Sequence, residues 1–365
     1  MPTRATAAVL RDADGPYAIE PLDLADPGPG ELVVRIAGAG FCHTDLLGRA
    51  PGGRVPKPVV LGHEGAGTVE AAGPGVAIAP GTPVVLSFDS CGACADCRDA
   101  RPGACAQMAA RNMFAMPLDG EPRLTDASGG AVHNRWFGQS SFATHALATV
   151  ANTVPVDDDL PLELLGPLGC GMQTGAGSVL ISLGVRAGDG IAVFGAGAVG
   201  LAAVMAAHLA GATRIAAVDL NPARLDLARG LGATHALNGA DPDLLRQLKA
   251  ITGGAGFEHA LDTTAVPEVV ATAVAALRTT GTCGLVGVGA RPYTLDPGLM
   301  LSGRTVRGII EGDAVPQRFI PKLIELWRQG RFPFDRLVAT YPLADIGRAE
   351  ADALAGEVVK PVLIP

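Results

Sequence analysis

At 365 residues the chain is long enough for two or three domains, each with its own core. Charged residues are only 18% of it and the formal net charge is −8, with no basic run or interleaved aromatic pattern, which argues against nucleic acid and anionic membrane as partners. Glycine (49) and proline (28) are abundant but scattered among apolar periodic segments, so low-complexity and repeat architectures are set aside as well.

The first fifteen residues, MPTRATAAVLRDADG, have no basic patch, apolar core or cleavage site of a secretory signal, so a cytoplasmic protein with reduced thiols is expected. From residue 7 to about 156 short strands alternate with glycine and proline turns: ELVVRIAGAG, EGAGTVEAAG and TPVVLSF. That pattern predicts a β-rich first domain. Within it, CGACADCRDARPGAC at 91–105 holds four of the seven cysteines. Cys91, Cys94, Cys97 and Cys105 read C-x2-C-x2-C-x7-C, a spacing that suits four thiolates on a tetrahedral structural zinc. An iron–sulfur cluster also accepts four thiolates, and disulfides are the remaining reading. A closed four-thiolate set leaves no open coordination position, so the chemistry is expected elsewhere.

The apolar run IAVFGAGAVGLAAVMAAHLAGA at 191–212 has the length of a membrane span, but it opens as a β-type IAVF and then turns on Gly195, Gly197 and Gly200. A strand, a glycine turn and a helix from about 199 to 209 explain the same apolarity. Strands and helices then alternate: RIAAVD, the helix NPARLDLARGLG, ATHALN, the helix DPDLLRQLKAITG, HALDTT, the helix PEVVATAVAALRT and the strand GTCGLVGV. This alternation predicts a doubly wound parallel sheet. After Arg307 an amphipathic helix in FIPKLIELWRQG and a terminal VVKPVLIP strand follow.

The glycine turn gains weight from Asp219, 19 residues after Gly200 at the end of RIAAVD. A pyrophosphate at the helix N-terminus and a ribose held by that carboxylate are the chemistry this spacing implies. A carboxylate there repels a 2′-phosphate, so NAD is favoured over NADP, with Arg224 five residues on as the counter-signal. Cys42 in GFCHTDLLG, His63 in GHEGAG and Cys170 in GCGMQTGAG each have a bland reading as a buried thiol or a turn residue. Together they make the three-ligand set of a catalytic zinc with an open fourth position. Cys283, in an apolar strand, reads as core.

With these motifs in place the sequence resembles the zinc-dependent medium-chain alcohol dehydrogenases. The resemblance rests on GHE, the four-cysteine lobe, GAGAVG and the following Asp, and runs through nearly the whole chain. GCGMQTGAGSVL, WFGQSSFATHAL, LSGRTVRGIIEGD and GEVVKPVL resemble the aryl (benzyl) alcohol dehydrogenase branch, to which allylic terpene alcohol dehydrogenases lie close. The resemblance implies an α/β chain with a GroES-like β-rich catalytic domain (1–170, then 311–365) and an inserted Rossmann domain (171–310).

The same resemblance assigns Cys42, His63 and Cys170 to the catalytic zinc and Cys91, Cys94, Cys97 and Cys105 to a structural one. It places Glu64 beside the metal, Asp45 behind His63, and Thr44 at the substrate hydroxyl. His43 and Lys360 fall near the cofactor phosphates, and Thr174 near the nicotinamide. Val199 and Val288, with Gly195, Gly197, Gly200, Asp219 and Arg224, complete the NAD contacts. Several family members carry a relay histidine where this chain has Leu47, so the terminal base is left open. Phe88, Met113, Phe114 and Met116 are candidate substrate walls. The implied activity is NAD-dependent oxidation of a primary aromatic alcohol of the benzyl alcohol type. Allylic terpenoids such as geraniol or perillyl alcohol, and a thiol adduct of formaldehyde, are the alternatives. The implied assembly is a homodimer or homotetramer.

Overall fold

The computed structural model describes residues 2–118, 120–289 and 291–365. The chain divides into two compact units. The first comprises the chain through Cys170 together with Val315–Pro321 and Asp335–Pro365; the second comprises Gly171–Ala314 and Lys322–Phe334.

The first unit is built on two sheets. In one, Thr3–Leu10 lies between Tyr17–Leu24 and Val59–Val60, and the short Leu124–Thr125 and Ala131–Val132 extend it. In the other, Glu31–Gly40 is the hub. It pairs antiparallel with Gly65–Ala72, with His145–Thr149 and with the terminal strand Lys360–Ile364. Leu32, Val33, Val34 and Ile36 are all buried, so both faces of this strand enter the core, which Trp136, Phe142 and Leu147 complete. Burying residues on both faces of a β-branched, apolar segment explains why the sequence reads there as a continuous apolar run. Pairing of Leu363 with Ala39 and Val362 with Gly40 brings the last strand beside the segment that leads into Cys42.

The second unit is a six-stranded sheet whose recorded pairings are all parallel, in the order His235–Asn238, Arg214–Asp219, Gly190–Phe194, Phe257–Asp262, Leu277–Leu285, Thr305–Gly308. The chain winds outward one way from Gly190–Phe194, then crosses back and winds the other way. A topological switch point therefore lies at the carboxyl end of that strand, where the glycine turn follows. The helix Ala198–Leu209 accounts for the second half of the apolar run. Among the described residues no helix is long and apolar enough to cross a membrane.

The end of one helix differs from the expected one. The helix Pro267–Ala276 stops before LRT, because Leu277 turns extended (φ −68°, ψ 152°) and pairs with Phe257. Burial of Leu277 in the sheet core outweighs its helix propensity. The first domain, read as β-rich, also contains helices: His43–Arg49 is one, and its role is set by the site it carries.

Candidate active site

Cys42 follows the strand Glu31–Gly40 and is the N-cap residue of the helix His43–Arg49. Asp45, at the third helical position, accepts the Cys42 backbone N–H on Oδ2 at 3.1 Å, as an acidic residue in a first helical turn does. Its other oxygen is shared. Oδ1 accepts from His63 Nδ1 at 2.7 Å, from Trp136 Nε1 at 2.9 Å and from the Gly62 amide at 3.2 Å. Gly62 has φ +91° and no room for a Cβ against Phe142, so only glycine turns the chain here and delivers His63 to Asp45.

This fixes the histidine. Its Nδ1 is committed to Asp45, its ring stacks on Phe137 at 4.6 Å, and its Nε2 is buried with no hydrogen-bond partner. That orphaned nitrogen lies with the sulfurs of Cys42 and Cys170 and a carboxylate oxygen of Glu64 in a cluster whose ligand atoms are all within 4.8 Å of one another. The Cys170 thiol, hydrogen-bonded to Cys42, pulls the Cys42 thiol well below its usual range against the effect of burial, and Lys360 and His63 add to the pull. A thiol drawn toward thiolate, a second cysteine sulfur beside it and one imidazole nitrogen without a partner are the donor set that zinc takes.

Glu64 is wholly buried, and burial pushes its carboxyl up to about 7 against the pull of Lys360. Lys360 is 2% exposed; burial opposes its charge, but Glu64 and Cys42 outweigh that and hold it protonated. Its Nζ donates to both Glu64 oxygens, at 2.9 and 2.8 Å, and to the Phe41 carbonyl at 3.0 Å. Lys360 was expected at the cofactor phosphates; in the structure all three of its donors point inward.

The second cluster is Cys91, Cys94, Cys97 and Cys105, again with ligand atoms within 4.8 Å. The short helix Ala95–Arg98 and the left-handed Gly92 (φ +65°) wrap the loop. Backbone amides point at the sulfurs: those of Ala93 and Cys94 at Cys91, and those of Cys91 and Gln107 at Cys105. Cys91, Cys94, Cys97 and Cys105 are not joined in disulfides, which removes the disulfide reading.

Thr44 is half-buried with its hydroxyl 3.7 Å from the Cys42 sulfur. His43 and Leu47 on the same helix are exposed. The candidate walls separate. Phe88 is a core residue, 2% exposed, with Met113 packed against the same cluster. Met116 lines a cavity of about 240 Å³ together with Arg111 and Arg135. Phe114 is half-buried.

In the second unit Gly195 has φ +91°, and a Cβ on Gly200 would collide with the Gly195 carbonyl oxygen. The helix Ala198–Leu209 thus starts tight against the turn, with its free amides at the carboxyl end of the central strand and Val199 half-buried in its first turn. Asp219 accepts from the amide of Ala196, inside the turn, at 2.6 Å and from Asn221 at 2.8 Å, so it stands beside the glycine turn. Arg224 is half-buried with Nε lacking a partner, and Val288 is exposed. Thr174 donates to Glu311 at 3.3 Å, and Gln173 donates to the same oxygen at 3.1 Å.

Several residues that organise these sites were not singled out from sequence. Trp136 and Phe137 lie 91 and 92 positions from Asp45. Gln139 donates to the His63 and Ser87 carbonyls and accepts from the Gly65 amide. Glu311 anchors Thr174. The string WFGQSSF was visible, but nothing local in it reports a partner so far away in the chain.

A unit carrying a three-ligand metal set and a closed four-thiolate set, in one chain with a dinucleotide-type parallel sheet, is the construction of a metal-dependent oxidoreductase. The known proteins agree. Residues 28–158 match the alcohol dehydrogenase GroES-like domain and residues 198–328 the zinc-binding dehydrogenase domain. The chain belongs to the zinc-dependent medium-chain alcohol dehydrogenase family. It is 50% identical to a geraniol dehydrogenase of Castellaniella defragrans, over 99% of this chain and 97% of that one. An alcohol dehydrogenase zinc-binding domain protein from Burkholderia ambifaria has the same fold with a TM-score of 0.97, at 49% identity over the whole of both chains. The benzyl alcohol dehydrogenase of Acinetobacter calcoaceticus superposes with a TM-score of 0.95, at 40% identity over 99% of each.

Proposed function

We propose that this chain is an NAD-dependent alcohol dehydrogenase that oxidises a primary alcohol whose carbinol carbon adjoins a π-system to the aldehyde. The carbinol carbon gives a hydride to the nicotinamide and the hydroxyl gives up a proton, so the products are aldehyde, NADH and a proton. The observation that carries the reading is the buried, partnerless Nε2 of His63 beside two cysteine sulfurs.

Cys42, His63 and Cys170 would hold a zinc ion, which supplies the Lewis acidity that makes an alcohol hydroxyl acidic near neutral pH. Asp45 keeps the Nδ1 proton of His63 in place, so Nε2 stays available as a ligand. Thr44 accepts the hydroxyl proton of the substrate. Leu47 has no titratable group, so the terminal acceptor beyond Thr44 is water or a residue other than Leu47. Cys91, Cys94, Cys97 and Cys105 would hold a second, structural zinc. The amides at the start of Ala198–Leu209 would hold the cofactor pyrophosphate, and Asp219 would accept from the adenosine ribose. The carboxylate of Asp219 favours NAD. A homodimer or homotetramer in the cytoplasm belongs to the same reading.

On substrate, the 50% identity to a geraniol dehydrogenase supports an allylic terpene alcohol first. The fold match to a benzyl alcohol dehydrogenase supports the aryl alcohol as the second reading. The test is the initial rate of NADH formation from geraniol, benzyl alcohol and ethanol with the zinc-loaded protein. A specificity constant for geraniol or benzyl alcohol well above that for ethanol is expected, and their order decides the branch. Equal constants for all three would overturn the π-activated class. Silence with all three would point to a thiol-adduct substrate.

A further inference from the structure

Asp45 is a fully buried carboxylate, and among the described residues no lysine or arginine forms an ion pair with it. Its charge is met by the His63 Nδ1 and by three neutral N–H groups: the amides of Gly62 and Cys42 and the Trp136 indole. The two amides are fixed by the chain trace and persist whatever the side chains. The indole is therefore the one neutral donor that depends on residue identity, and it shares Oδ1 with His63, at 2.9 and 2.7 Å.

A second observation concerns the backbone. Arg135 (φ 80°), Phe137 (φ 51°) and Ser140 (φ 56°) are non-glycine residues in the left-handed region, bracketing Trp136 within six positions. Such conformations cost of the order of 1–3 kcal/mol each and persist where surrounding contacts impose them. Here they aim two neighbouring rings at one histidine. Trp136 reaches it through Asp45, and Phe137 stacks on its ring directly, with the two rings edge to face at 5.3 Å. The Trp136 amide is tied down by Ser140 Oγ at 2.9 Å.

We propose that Trp136 is a positioning residue for the metal ligand His63: its indole N–H holds Asp45 Oδ1 where that oxygen fixes the imidazole with Nε2 toward the Cys42 and Cys170 sulfurs. The inference rests on reading those three residues as zinc ligands. An aromatic ring alone does not suffice at this position. Trp136→Phe keeps most of the ring packing but leaves a buried carboxylate oxygen one donor short, and the His63 contact then loosens.

The test compares wild type, Trp136→Phe and His63→Ala, each zinc-loaded, by the rate of zinc release to dipicolinate. His63→Ala retains only the four-cysteine zinc and sets the baseline. Trp136→Phe is expected to lose the remaining zinc about tenfold faster than wild type, at the lower end of the effect of removing a ligand's hydrogen-bond partner. Release at the wild-type rate overturns the proposal. Equal zinc content in wild type and His63→Ala overturns instead the reading of His63 as a ligand. The wild-type protein gives a second readout that needs no folded variant. With only two tryptophans, the Trp136 indole N–H is resolvable in 15N-indole-labelled protein, Trp327 being the other. A solvent-protected signal that shifts when zinc is removed from the His63 site is expected. A signal that exchanges freely, or is indifferent to that zinc, contradicts the proposal.

Discussion

Lys360 clasps Glu64: its ammonium donates to both carboxylate oxygens, at 2.8 and 2.9 Å, with both side chains almost wholly buried. The terminal strand is thereby tied to the residue that follows His63. Replacing Lys360 by Met strands a buried carboxylate. Removing one partner of such a pair costs about 3–5 kcal/mol. Denaturant unfolding of Lys360→Met is expected to show a loss of that order, and Glu64→Gln in the same protein to recover most of it. An unchanged midpoint in the single variant would mean that the pair does not stabilise the fold.

The four-cysteine loop is not uniform. Amides of Ala93 and Cys94 lower the Cys91 thiol to about 6, whereas burial pushes Cys97 up to about 12. A depressed pKa means thiolate above it and thiol below it. In metal-free protein at pH 7.5, iodoacetamide is therefore expected to modify Cys91 before Cys97, with the Cys91 rate falling as pH drops through about 6. Peptide mapping by mass spectrometry reads the order. Equal rates at both sites would contradict the assignment, and zinc is expected to protect all four.

Gly200 lies where a Cβ meets the Gly195 carbonyl, so Gly200→Val must displace the turn or the helix start. NADH binding is expected to weaken by about tenfold or more, about 1.4 kcal/mol, by fluorescence titration. Zinc content should stay as in wild type. Retention of full NADH affinity would remove the turn from the cofactor site.

Phe88, a candidate substrate wall from sequence, is core. Phe88→Ala is expected to destabilise the protein by about 3–5 kcal/mol. The ratio of kcat/KM for geraniol over benzyl alcohol should not change. A shift in that ratio with no loss of stability would restore Phe88 to the pocket.

The legible parts of the sequence were those where chemistry is local. C-x2-C-x2-C-x7-C closes within fifteen residues, and a strand, a glycine turn and an acid at the next strand end form one continuous unit. Cys42, His63 and Cys170 are far apart and each alone reads as a buried thiol or a turn residue; only the three together make a ligand set, which the family resemblance assigned. Trp136 and Gln139 were opaque for the opposite reason. An indole and an amide are common core side chains, and their partners Asp45 and His63 lie 91 and 76 positions away. The contact of Lys360 with Glu64 was opaque too, because a basic residue near the C-terminus looks the same whether it meets a phosphate or a buried glutamate. Only the antiparallel register of its strand with Glu31–Gly40 distinguishes the two.

The central claim is that zinc held by Cys42, His63 and Cys170 drives alcohol oxidation. The most direct test is zinc per chain together with NADH formation from geraniol and benzyl alcohol, in wild type and His63→Ala. Two zinc ions and turnover in wild type, against one zinc and no turnover in a folded His63→Ala protein, are predicted. Two retained zinc ions, or turnover without the second, in His63→Ala would contradict it.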